Sequence, residues 1–127
     1  MNNKVFLDNS GLIEQIYVGN QTGQTITQVA NKTKEIIQLL LTNEEPIIVL
    51  VDLSKLGKST SDSRKAALEA LKNTTYDKVA LFGLSPYTKY LSSFIIAASG
   101  NGSRVKLFDT KQKAKKWLTD GLPIDPK

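Results

Sequence analysis

The sequence predicts an α/β protein, a mixed and mostly parallel β-sheet with an N-terminal β-hairpin and four α-helices in the order ββαβαβαβα. Three observations lead there. The run Ile47-Ile48-Val49-Leu50-Val51 is apolar with no polar alternation, which suits a strand buried on both faces in the middle of a parallel sheet. Downstream of it, strand-like and helix-periodic stretches alternate, and that alternation implies parallel strands joined by right-handed crossovers. Upstream, two β-rich runs are split only by Asn9-Ser10-Gly11, a link of hairpin length.

Taken in order, residues 4–8 and 12–18 form the hairpin, and 19–23 read as a polar loop. Thr25 is the expected N-cap of the first helix, with Gln28 three residues on completing a capping-box pattern. Ile26, Val29, Ala30, Ile36, Ile37, Leu40 and Leu41 keep helical spacing, with Thr33 on the same face. Residues 43–46 end that helix and hand over to the central strand, which closes on Asp52-Leu53-Ser54. A small, hydroxyl-rich loop over 55–63 follows, and a helix over 61–72 with a thin stripe of Ala67, Leu68 and Leu71. Thr60, Ser61, Asp62 and Ser63 are all candidate caps for it. A second buried strand spans 78–84, and Ser85-Pro86 then reads as N-cap and first helical position. Tyr87, Tyr90, Leu91, Phe94, Ile95 and Ala98 fall on one face of the third helix, which Gly100 and Asn101-Gly102 stop. A last strand covers 104–108 and a last helix 110–118, with Ala114, Trp117 and Leu118 facing inward and Gly121 and Pro123 ending it.

With 127 residues and no repeat, linker or low-complexity tract, the expectation is a single domain over 1–127. No apolar run approaches the roughly 20 residues of a membrane span, and the start lacks a signal-peptide core, so the expected address is cytoplasmic. Cysteine and histidine are both absent. That removes disulfides, thiolate chemistry, Cys/His zinc sites and histidine-based nucleophilic triads. No carboxylates or lysines cluster in a way that suggests acid–base catalysis, so neither an enzyme nor a cofactor is expected. The net charge of +5 is uneven, at −3 up to Leu53 and positive in both later portions. Such a basic half attracts anions or acidic partners, but a solvated lysine-rich helix face accounts for most of it.

In open α/β sheets, ligands and partners meet the loops at the carboxyl ends of the strands. The candidate site is therefore Asp52, Ser54, Lys58, Ser61, Asp62, Ser63 and Arg64, with Ser85 and Tyr87 from the adjoining turn. Gly57-Lys58-Ser59 imitates the end of a phosphate-binding loop, but the glycine required five residues earlier is Asp52. A basic loop before a helix start still suits an anion, although capping alone explains the hydroxyls there. Asp52 at a strand end also suits a receiver domain, yet Asp8 stands alone where receivers have an acidic pair. Hydrogen bonding to nearby loop amides is the plainer role for Asp52.

The element order, the stretch Val49-Leu50-Val51-Asp52-Leu53-Ser54 and the Ser/Asp-rich segment before a helix resemble the STAS fold. Asp77-Lys78-Val79-Ala80-Leu81-Phe82-Gly83, then Val105-Lys106-Leu107-Phe108-Asp109-Thr110 with Ala114 and Trp117-Leu118, are similar to its SpoIIAA-like branch. The resemblance implies a non-enzymatic regulatory module that binds a protein partner, a kinase or an anti-sigma-like regulator. It also implies phosphorylation of a serine at the helix start, carried by position to Asp62 and Ser63 and less closely to Ser61. Arg64 and Lys65 stand where that motif has a hydroxyl and a glycine.

The alternative function is a carrier of a small apolar or anionic ligand, lipid included, in a cleft beside Tyr87–Phe94, with Tyr87, Tyr90, Phe94 and Ile95 as candidate lining and the two tyrosines expected to stay partly exposed for their hydroxyls. Non-specific nucleic-acid binding through the lysines at 111, 113, 115 and 116 is a third and weaker reading, because only Trp117 interrupts them and its phase is inward. Edge strands leave a homodimer open.

Overall fold

The computed structural model describes residues 2–120. Asp8 closes the first turn: its Oδ1 accepts from the Ser10 amide at 2.8 Å, the Ser10 hydroxyl at 2.6 Å and the Leu12 amide at 3.0 Å. Strands β1 (Lys4–Leu7) and β2 (Ile13–Gln21) flank it and pair antiparallel, Leu7 facing Ile13. Helix α1 (Gly23–Thr42) leads to the central strand β3 (Ile48–Ser59), α2 (Ser61–Asn73) to β4 (Lys78–Phe82), and α3 (Pro86–Ser99) to β5 (Val105–Phe108). Helix α4 (Lys111–Thr119) is the last described element. The expected fold class is observed, a mixed five-stranded sheet with four helices.

Strand order in space is the order in sequence, β1-β2-β3-β4-β5, with β2 through β5 parallel. This has a consequence for the helices. Each crossover moves the chain the same way across the sheet, and right-handed crossovers then deliver α1, α2 and α3 to one face. Val29, Ile37 and Leu40 of α1, Leu71 of α2 and Ile96 of α3 accordingly share a cluster with Val49, Val51 and Val79. Helix α4 follows the final strand, is not a crossover, and takes the opposite face. There Ala114 and Leu118 pack with Ile48, Leu50, Ala80 and Phe82. Strand β3 buries Ile48, Val49, Leu50 and Val51 between both clusters, as a run without alternation requires.

Several boundaries differ from expectation, each for a local reason. Residues 19–21 and 55–59 are strand rather than loop: Val18 pairs with Lys55, Gly19 with Leu56 and Gln21 with Ser59, across two register shifts. Bulges of this kind let an irregular, polar stretch stay in a ladder. Because β2 runs on, α1 starts earlier, and Thr22 is its N-cap. The Thr25 amide donates to Thr22 Oγ1 at 3.3 Å and the Thr22 amide to Thr25 Oγ1 at 2.9 Å, so the capping box lies ahead of the expected one and Thr25 closes it instead of opening it. Leu41, expected inward, is exposed, since the buried stripe of α1 is Val29, Thr33, Ile37 and Leu40. Among the four candidate caps of α2, Thr60 serves. Strand β4 ends at Phe82, two residues short. The expected stop at Gly121 and Pro123 lies outside the described residues.

The largest difference is the rotation of α3. Phe94, expected on its inner face, is 60% exposed, whereas Ile96 is buried; Tyr87 and Tyr90, the members of that stripe expected to stay partly exposed, are 69% and 62% exposed. Ser85 and Pro86 begin the helix as expected, and Gly100 ends it with φ +77°. Beyond that end, Asn101 Nδ2 donates to the Leu71 carbonyl at 2.7 Å, which ties the helix to α2. Packing against α2, and not the apolar stripe of α3 by itself, selects the side of this helix that faces in.

Candidate functional site

Gly57 and Lys58 sit on β3, and the reason for a glycine there is structural. A Cβ at Gly57 would lie 2.5 Å from Asn20 Oδ1, the atom that accepts the Lys58 amide at 2.8 Å. The imitation of a phosphate loop is thus strand backbone fitted around Asn20. The Lys58 side chain is exposed.

The chain then turns into α2. Thr60 Oγ1 accepts from the Ser63 amide at 3.2 Å and donates to Asp62 Oδ1. Asp62 Oδ2 accepts from the Gly23 amide, the first residue of α1, at 3.1 Å. One exposed carboxylate therefore serves the first turns of two helices. Hydrogen bonds from Thr60 and Gly23 hold its pKa below the ordinary 3.8. Ser61 is exposed at the first helical position. Ser63, the position to which the resemblance carries the phosphoryl acceptor most directly, is 1% exposed, and its hydroxyl donates to the Thr60 carbonyl at 2.7 Å. Its hydroxyl is buried, and of the two serines in this turn Ser61 is the one presented to solvent.

Arg64 is half-buried, with Nη1 donating to the Ser59 carbonyl at 3.2 Å and its hydroxyl at 3.4 Å. Ser63 and Arg64 both border a cavity of about 160 Å³ between the sheet and the three crossover helices. Helix α3 packs chiefly on α2 and only slightly on the sheet beneath it, and this leaves the space. Of the stretch expected to border a ligand cleft, Leu91 and Ile95 line this cavity, whereas Tyr87, Tyr90 and Phe94 do not.

A buried polar chain borders the same cavity. Tyr17 donates to Gln15 Oε1 at 3.3 Å, Gln15 Nε2 to Thr33 Oγ1 at 2.9 Å, and Thr33 to the Val29 carbonyl at 2.8 Å. Burial pushes the Tyr17 and Tyr76 hydroxyls up, so both stay protonated donors. Gln21, also buried, is held by Asn3, Thr25 and the carbonyls of Val18 and Gly19. Among the described residues no buried side-chain nitrogen or oxygen lacks a partner. Gln15 and Tyr17 share the inward alternation of Ile13, a signal visible in sequence; Gln21 lay in a presumed loop and gave none.

The remaining expected residues gather elsewhere. Asp52 Oδ1 accepts from the Ser54 amide at 2.9 Å and hydroxyl at 2.6 Å. It alternates with Val51, so it falls on the α4 side of the sheet, away from Ser63 and Arg64. Ser54 meets the next turn: a Cβ at Gly83 would lie 2.7 Å from its amide nitrogen. Ser85 caps α3, accepting the Thr88 amide at 3.2 Å, and Tyr87 projects to solvent beside it. The nine expected residues thus form a lower group at the start of α2 and a group around the 83–87 turn, not one pocket.

A family model described as a domain of unknown function, DUF7793, matches residues 13–121. The chain belongs to the DUF7793 family. Among solved structures, this DUF7793 domain is similar to an uncharacterized DUF3478-family protein with a SpoIIAA-like fold from Shewanella loihica PV-4. The TM-score is 0.65 at 16% identity, covering 92% of this chain and 93% of that one. It is also similar to the anti-sigma factor antagonist SpoIIAA in its unphosphorylated form, with a TM-score of 0.62 at 10% identity over 94% of this chain and 99% of that one. The fold is therefore SpoIIAA-like, as the resemblance of the sequence to STAS proteins implied. No curated protein sequence matches the chain.

In the DUF7793 domain, Trp117 of α4 is half-buried against Phe108, ring centroids 5.6 Å apart, with Lys78 Nζ 4.8 Å from its ring centroid, and Lys111 lies 3.8 Å from Glu14. No group of three potential metal-binding side chains occurs, and no helix is long and apolar enough to cross a membrane, among the described residues.

Proposed function

We propose that this DUF7793 domain is a non-catalytic, cytoplasmic regulatory module that acts by binding another protein, with residues 1–127 working as one STAS-like unit. The observation that carries the reading is the likeness in fold to an anti-sigma factor antagonist along nearly the whole of both chains. By that likeness the partner is a kinase or an anti-sigma-like regulator. The contact surface is the start of α2 with the 83–87 turn, where Lys58, Ser61, Asp62, Ser85 and Tyr87 are exposed.

The switch in this reading is phosphorylation of Ser61. A helix N-terminus stabilises added negative charge, and Lys58, Arg64 and Lys65 are close in sequence. The phosphate would stand next to the Asp62 carboxylate and compete with it for the Gly23 amide. Repulsion between the two anions would loosen the α1–α2 junction, which gives the modification a structural consequence.

Intact mass of the protein isolated from its own cells, with fragmentation, tests this. Phosphate on Ser61 is expected. Phosphate confined to Ser63 would overturn the choice of acceptor, and an unmodified chain under every growth condition would overturn the switch. Cross-linking with the captured partner should then map to Tyr87 and the start of α2; cross-links confined to α4 would overturn the surface.

A further inference from the structure

We infer that the cavity beneath α3 is a binding site for a small monocarboxylate with a compact apolar body, aromatic or short-chain aliphatic. The inference goes beyond the regulatory reading and does not rest on it.

Size comes first. The cavity holds about 160 Å³. An engineered apolar cavity of about 150 Å³ stays dry and takes up benzene, so a ring or a short chain fits here. Wall chemistry follows. Leu56 and Leu81 of the sheet, Ala67 and Ala70 of α2, and Leu91 and Ile95 of α3 enclose an apolar body. The small alanines are what keep the space open, since any larger residue at those positions of α2 would project into it.

Charge then selects the head group. Arg64 is the charged residue bordering the cavity, and no Asp or Glu borders it among the described residues. Its Nη1 is engaged by Ser59, but a guanidinium carries five N–H donors in a planar fork that matches a carboxylate. The Ser59 contacts hold the guanidinium in place, so little side-chain freedom is lost when an anion binds. Thr88 and Ser92 of α3 supply hydroxyls on the cavity side, where an ordinary core-facing helix would carry apolar residues. An amine would meet the Arg64 charge with no acceptor carboxylate to balance it, and a neutral ring would offer no acceptor to the guanidinium donors that Ser59 leaves free.

The test is a titration of the methyl-labelled full chain, followed by NMR, with phenylacetate, hexanoate and phenethylamine. Either carboxylate should move the Leu56, Leu91 and Ile95 methyls saturably at millimolar concentration, and the tighter of the two tells an aromatic from an aliphatic body. Phenethylamine should bind at least about tenfold more weakly, as should phenylacetate to Arg64→Met, because a charge-assisted bond is lost. Ala67→Leu, which fills the cavity, should abolish binding without lowering the melting temperature. Absence of saturable shifts with both carboxylates overturns the inference, as does equal binding of phenethylamine. Should Arg64→Met fail to fold, the amine comparison and Ala67→Leu decide alone, and undiminished binding to Ala67→Leu overturns it.

Discussion

The Asp62 carboxylate accepts the Gly23 amide 3.1 Å away, across 39 residues of sequence, and so joins the first turn of α2 to the first turn of α1. Gly23 allows the approach, since a Cβ there would lie 2.8 Å from Asp62 Oδ2. Both helix N-termini carry partial positive charge, and a single carboxylate between them meets both.

This link makes stability depend on pH in a defined direction. The Asp62 pKa is lowered in the folded chain, so its contribution is fully present above the unfolded value near 3.8 and is lost as pH falls through the lower folded value. Asp62→Ala should melt below the parent at neutral pH, and the gap should close below pH 3.8. Melting curves across the acid range check this; a gap that persists unchanged at the lowest pH would sink it.

The rotation of α3 gives a contrast between two apolar residues on one helix. Ile96→Ala empties core volume and should destabilise by about 2–5 kcal/mol. Phe94→Ser, on the solvent side, should change stability by less than about 1 kcal/mol despite its edge-on contact with Tyr90 at 5.0 Å. Urea unfolding of the two variants decides which side of the helix is core.

Thr33 joins Gln15 to the Val29 carbonyl. Thr33→Val keeps the shape but leaves the buried Gln15 amide without its acceptor, which should cost about 1–3 kcal/mol. The double variant with Gln15→Leu should recover part of that loss, as a double-mutant cycle would reveal.

Gly83 combines φ +84° with Ser54 backbone atoms 2.7 and 2.8 Å from where a Cβ would stand. Gly83→Ala should cost more than the roughly 1 kcal/mol of an unhindered left-handed alanine, because Ser54 backbone must also move. Unfolding midpoints measure it, and a shift of the Asp52 and Ser54 resonances should accompany the loss.

Much of this molecule was legible in short stretches of sequence. The uninterrupted run at 47–51 identified the central strand, Asn9-Ser10-Gly11 the hairpin, and Ser85-Pro86 the start of α3. Turn geometry and capping involve neighbours along the chain, and a strand buried on two faces leaves its mark as a local run without polar alternation. The polar continuation of β3 through Ser59 was not legible, because its partner is β2 and the composition alone reads as loop.

The candidate site was legible only as a set of residues, without their arrangement. Sequence proximity placed Asp52 with Ser63, but the alternation of a strand sends them to opposite faces of the sheet. Ser61 and Ser63 look equivalent as hydroxyls, yet a rotation of two helical positions exposes one and buries the other.

What the sequence determined by itself was the order and type of the elements and the absence of thiol and imidazole chemistry. Tertiary structure decided the strand order, hence the gathering of three helices on one face, and with it the inward side of α3 and the cavity beside Arg64. The physical reason is that periodicity reports which residues share a side of an element, while only packing against the other elements selects the side that is buried.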